Sequence, residues 1–127
     1  MDSKFGEPMF VVDRIVAVLR PTEKMLNWIK GLPHAPDVMT FKNLQNDCTA
    51  LLLPPFESPK QADAYVRQIY DGIFDSELIS WGIPQEDWPK ERNYQLFQEW
   101  FTVEYHSVLF DVAFLEEQKK REKVAEL

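Results

Sequence analysis

Glu104-Tyr105-His106-Ser107, followed by Asp111, is the stretch of this 127-residue chain best supplied with groups that do chemistry. In an extended segment side chains alternate, so Glu104 and His106 share one face. A carboxylate beside an imidazole can orient it as a general base, or the two can serve as metal ligands. Ser107 and Asp111 fall on the opposite face, which removes a Ser-His nucleophile pair. The Glu104–His106 face continues through Val108, Phe110 and Val112 and therefore points toward apolar packing. That favours a structural His106 bonded to Glu104 or to backbone. The other histidine, His34, stands beside Asp37 in the loop Pro33-His34-Ala35-Pro36-Asp37. Neither histidine nor the single cysteine, Cys48, shows the close paired spacing of zinc motifs, so no metal is expected. No cofactor is expected either. The four glycines, at positions 6, 31, 72 and 82, cannot form GxGxxG or a Walker A loop, and GxSxG, HExxH and CxxC do not occur.

Two further groups of residues suit recognition better than catalysis. Trp81, Trp88, Tyr94, Phe97, Trp100 and Phe101 crowd into 21 residues, and Trp and Tyr make good interface anchors. Phe97, Trp100 and Phe101 follow helical spacing and read as core, whereas Trp81 and Trp88 flank a Pro-containing loop and remain candidates for contact. The second group is acidic. Lys plus Arg number 14 against 21 Asp plus Glu, a net charge of −7 with pI near 4.8. Residues 1–60 balance. Residues 61–118 carry twelve acids against Arg67, Lys90 and Arg92, a local charge of −9, and the last nine residues return +2. Asp63, Asp71 and Asp75 recur at helical spacing opposite an apolar stripe. They form either a solvated helix face, relieved by Arg67, or an acidic docking face for a basic partner. Acidity of this kind argues against direct nucleic-acid binding, which needs basic surface for phosphates.

The elements that must position these groups read as follows. Phe10 to Arg20 is Val/Ile-rich and apolar on both alternating faces at Ile15–Leu19, a strand covered on both sides. Pro21 ends it and Thr22 caps a helix carrying Met25, Leu26, Ile29 and Leu32 on one face, closed by Gly31 and Pro33. Thr40 caps one short helical turn. Thr49–Leu53 is a short buried strand bounded by Pro54-Pro55. Ser58, Pro59 and Gln61 open a long helix with a capping box, which runs to about Trp81 and is stopped by Gly82 and Pro84. Pro84–Pro89 forms a turn around Trp88. Asn93 caps a third main helix bearing Leu96, Phe97, Trp100 and Phe101. Thr102–Phe114 reads as a third strand, and Leu115–Leu127 as a charged helical tail.

The order β-α-β-α-α-β-α predicts an α/β or α+β fold, one domain over residues 1–127. Helices cover a sheet of about three strands, residues 1–8 form a flexible N-terminus, and residues 115–127 are the tail. The first strand is its natural centre, and long helical connections favour parallel crossovers. The chain shows neither a secretory signal nor an apolar run of transmembrane length, so a cytoplasmic protein with no membrane association is expected.

Several segments taken together resemble one family. These are Pro21-Thr22-Glu23-Lys24-Met25-Leu26-Asn27-Trp28, Leu51-Leu52-Leu53-Pro54, Ile73-Phe74-Asp75-Ser76-Glu77-Leu78, Trp88-Pro89, and Glu99 through Asp111, which is the most specific. They are similar to a family of small acidic bacterial proteins of unknown function, over roughly residues 14–112. The resemblance implies no activity, ligand or site residue. Composition and motifs therefore lead to an interaction or regulatory module with an unknown, basic protein partner, docking through Asp63, Asp71, Asp75, Trp81 or Trp88. The alternative is a small enzyme or metal-binding protein using Glu104 and His106. Neither reading fixes an oligomeric state.

Overall fold

Every second residue of the first strand, β1 (Ile15–Pro21), is buried, and the residues between are half-buried. The computed structural model describes residues 12–33, 41–46 and 48–125. Residues 1–8, His34, Asp37 and Thr40 lie outside them. After β1 come α1 (Glu23–Lys30), α2 (Phe41–Asn46), β2 (Thr49–Leu53), α3 (Pro59–Ser80), a 3-10 turn at Gln85–Asp87, α4 (Tyr94–Trp100), β3 (Phe101–His106) and α5 (Val112–Ala125). The sheet order is β2-β1-β3, with β1 central as its composition predicts. The fold is α+β, with helices packed on a three-stranded sheet.

Both pairings of β1 are antiparallel, which corrects the expectation of parallel crossovers. The reason lies in where the chain re-enters. It leaves β1 at Pro21 and returns at Thr49 opposite Leu19, the same end of the sheet, so α1 and α2 make no net progress along the strands. It then leaves β2 at Leu53, opposite Ile15, and returns at Phe101, opposite Pro21, at the far end. The 22-residue α3 is about 33 Å long at 1.5 Å per residue, enough to carry the chain that distance. The two outer strands thus run parallel to each other with β1 reversed between them.

Local chemistry sets the element boundaries. Ser58 Oγ accepts from the Gln61 N–H at 3.4 Å with Pro59 at the first helical position, while Gln61 Oε1 accepts from the Glu57 N–H at 2.9 Å. Asn93 Oδ1 caps α4 through the Leu96 N–H at 2.8 Å. Gly82 follows α3 at φ 70°, a conformation that glycine adopts without steric penalty. Thr22 sits at the α1 N-cap but does not cap it. Its hydroxyl donates to the Glu99 carbonyl at 2.7 Å and its N–H to the Trp100 carbonyl at 2.9 Å, tying the start of α1 to the end of α4. The third strand is shorter than predicted. It begins at Phe101, with no residue between it and α4, and ends at His106, opposite Val16 near the start of β1; Asp111 Oδ1 then caps α5 through the Phe114 N–H at 2.7 Å.

The core lies on one face of the sheet. Ile15, Ala17, Leu19, Leu53 and Phe101 meet Met25, Leu26 and Ile29 of α1, Val66, Ile73, Phe74 and Leu78 of α3, and Phe97 and Trp100 of α4. Phe74 is its hub, with ring centroids of Trp100, Phe101 and Phe97 at 5.3, 5.6 and 6.1 Å. The opposite face carries half-buried Val16, Val18 and Arg20 and exposed Ala50, Leu52, Thr102, Glu104 and His106. Among the described residues β1 is therefore covered more fully on the core side than on the other. No helix among the described residues is long and apolar enough to cross a membrane.

Candidate functional site

Glu104 and His106 share a face as the alternation predicts, but that face is the open one. The apolar continuation through Val108 and Val112 fails because the strand stops at His106, and both valines are exposed. His106 Nε2 lies 3.3 Å from Glu104 Oε2, and Arg20 Nη2 reaches the same oxygen diagonally from β1 at 3.1 Å. Hydrogen bonds from Arg20 first, and His106 second, hold the Glu104 carboxyl below the usual carboxylate range. Arg20 Nη1 also approaches Cys48 Sγ, at 4.0 Å, and Cys48 donates to the Gln45 carbonyl at 3.5 Å. The result is a half-exposed polar string that crosses the sheet from β3 over β1 to the start of β2. The cavities around Ser58 and Tyr105, Thr49 and Gly72, and Leu52 and Val112 are lined without Glu104 or His106. Among the described residues no three His, Cys, Asp or Glu side chains converge as a metal site.

The acids proposed for docking are engaged within the fold. Asp71 Oδ1 lies 2.9 Å from Arg92 Nη2 and Asp75 Oδ1 lies 2.6 Å from Arg92 Nη1. The second contact is a close ion pair not aligned as a hydrogen bond, since both atoms are buried without a hydrogen-bond partner. Arg92 is only 14% exposed, and its guanidinium stacks on Phe74 and Trp88 with centroids at 5.1 and 5.6 Å. Asp63 accepts from the Tyr105 hydroxyl at 2.6 Å. Burial, then the Asp63 hydrogen bond and charge, push the Tyr105 phenol far above the ordinary tyrosine range. Trp88 and Trp81 are half-buried against the core. The Trp88 indole N–H donates to the Ile83 carbonyl at 2.8 Å. The aspartates thus form the flank of α3 that meets Arg92, just ahead of α4, and Tyr105 of β3.

The other flank of α3 holds a buried acid that belongs to no motif. Glu77 is 4% exposed, and its Oε1 accepts from the Thr49 hydroxyl at 2.5 Å, linking α3 to β2. Burial raises its pKa, and the donors facing it, Thr49 and then Trp81, pull it partway back. The Trp81 Nε1 is itself buried outside hydrogen-bond geometry. Above Glu77 runs a groove of about 280 Å³ between β2 and α3, lined by Thr49, Leu51, Ile69, Gly72, Ile73 and Ser76. A Cβ on Gly72 would meet nothing within 4 Å, so the groove is open there. Tyr65, Ile69, Gly72, Ser76 and Ile79 fall within roughly 80° of arc on α3 at 100° per residue, and none is charged.

The two edges of the sheet differ accordingly. β3 carries the exposed charge of Glu104 beside the polar His106, and a charge on an edge strand discourages pairing. β2 is Thr49-Ala50-Leu51-Leu52-Leu53, without a charge or a proline, and Leu52 is 64% exposed. Fold and site together define a small α+β protein whose antiparallel sheet, among the described residues, has its core on one face and no charged side chain on one edge strand. No protein-family model, no curated protein and no solved structure matches the chain.

Proposed function

We propose that this protein is a protein-interaction module that docks an extended segment of its partner along β2, adding a strand to the sheet. The observation that carries the reading is the uncharged β2 strand at the edge of the described sheet, beside an open apolar groove. In strand addition, backbone hydrogen bonds supply affinity and pockets for alternate side chains supply selectivity. An added strand would place every second side chain over Leu51, Ile69 and Gly72. The acidic flank supports docking less well, because Asp71 and Asp75 neutralise Arg92 and Asp63 is held by Tyr105. The Glu104–His106 pair supports a reaction less well, because it lines none of the described cavities.

The test is titration with a Lys-flanked peptide of alternating Val and Thr, followed through backbone amide resonances. Shifts and slowed hydrogen exchange are expected at residues 49–53 and not at 101–106. The same peptide N-methylated on its bonding edge should lose binding. Perturbation centred on Asp71 and Asp75, or on Glu104 and His106, would overturn the reading.

A further inference from the structure

We infer that a second copy of this chain occupies the β2 edge, its β2 pairing antiparallel with ours across a two-fold axis to make one six-stranded sheet. The inference rests on the β2 docking reading and names the partner. Three observations lead to it.

The first is charge. Two copies each at −7 repel, so they approach only where the surface carries no acid. β2 has no charged residue, and neither does the neighbouring α3 stripe of Tyr65, Ile69, Gly72, Ser76 and Ile79. Of the acids of α3, Asp63, Asp71 and Asp75 lie on its other flank, bound to Tyr105 and Arg92, and Glu77 is buried beneath the groove against Thr49.

The second is self-complementarity, which a two-fold interface requires of a single patch. A pairing centred on Leu51 sets Leu51 against its own copy and Thr49 against Leu53 on the core side. On the open face it sets Ala50 against Leu52, a small residue beside the large one that is now exposed. No like charges face each other, so nothing in the strand opposes the pairing electrostatically.

The third is the continuity of the patch from strand to helix. The same axis brings the Tyr65–Ile79 flanks of two α3 helices face to face. Gly72 and Ser76 leave room for close approach, with open space where a Gly72 Cβ would stand, and Ile79, now 65% exposed, is covered. A five-residue strand of about 17 Å beside about 21 Å of helix makes a small contact. That puts it at or below the ~800 Å² per partner of a standard interface, so the dimer falls apart on dilution.

Sedimentation velocity over a dilution series from millimolar to micromolar chain tests this. The expected result is a reversible monomer–dimer equilibrium. Leu52→Lys should abolish it, because a lysine on an edge strand blocks pairing. Gly72→Glu, at an exposed position where glutamate suits a helix better than glycine, should abolish it by setting acids across the axis, with the circular dichroism unchanged. Thr102→Lys, on β3, should leave it intact. A chain that stays monomeric throughout overturns the inference and leaves peptide docking at β2 to its own measurement. A dimer that survives both Leu52→Lys and Gly72→Glu overturns it as well.

Discussion

The hydroxyl of Thr49 donates to Glu77 Oε1 across 2.5 Å, so the outermost strand is bonded to the long helix through a buried carboxylate. The two residues are 28 apart in the chain, and this contact holds β2 against α3 where the groove begins.

Burial raises the pKa of Glu77 in the fold, so folding disfavours its charged form. The stability associated with the protonated form is complete below the ordinary carboxylate range and is lost as pH rises through the raised folded value. Glu77→Gln keeps an acceptor for Thr49 without a buried charge, and should raise the urea midpoint at pH 7 with a smaller gain near pH 4. Thr49→Val leaves the carboxylate without its donor and should cost about 1–3 kcal/mol at pH 7. A Gln variant less stable at neutral pH than at acid pH, relative to the parent, would contradict this account.

Arg92 should be far more important to stability than the acids it pairs with. It is largely buried, stacked on Phe74 and Trp88, and it pairs with two aspartates. Arg92→Ala strands Asp75 and removes packing, at an expected cost of about 2–4 kcal/mol by chemical denaturation. Asp71→Asn, at the exposed end of the pair, should cost less than about 1 kcal/mol. Comparable losses for the two variants would show that Arg92 is a surface residue in effect.

Arg20 sets the acidity of Glu104. Arg20→Gln removes the leading hydrogen bond on Glu104 and should move its carboxyl resonance titration upward, toward the ordinary range. His106→Ala should move it the same way by less. In the parent the Glu104 interaction supports folding above the ordinary carboxylate range and fades as pH falls through the depressed folded value. Equal effects of the two variants, or none, would be inconsistent with the ordering.

Helix starts were legible in the sequence because capping is local. Ser58 and Asn93 act where their neighbours said they would, and Met25, Leu26 and Ile29 are buried as their spacing implies. Strand direction was not legible, because it depends on which end of the sheet the chain re-enters. Residues 107–114 are rich in β-branched and aromatic side chains and so read as strand, whereas Asp111 acts there as a helix cap. Read as strand, the same residues also turn Glu104 and His106 toward the core. Glu77 did leave a trace. It falls four residues after Ile73 on the buried side of α3, a carboxylate where the helical period calls for an apolar residue. The bare edge left a weaker one, an uncharged strand. That a strand is an edge is a property of pairing, and no single segment records it.

α4 passes into β3 between Trp100 and Phe101 with no residue to spare. The rotational phase of the helix therefore dictates the pleat of the strand. One residue inserted at this junction would either break the Thr22 ties to Glu99 and Trp100 or invert the strand, sending Glu104 and His106 inward and Val103 and Tyr105 outward. Most joints between elements tolerate changes of length. Here the chain has a fixed frame, and indels in homologous or engineered versions of this protein should be absent from that peptide bond.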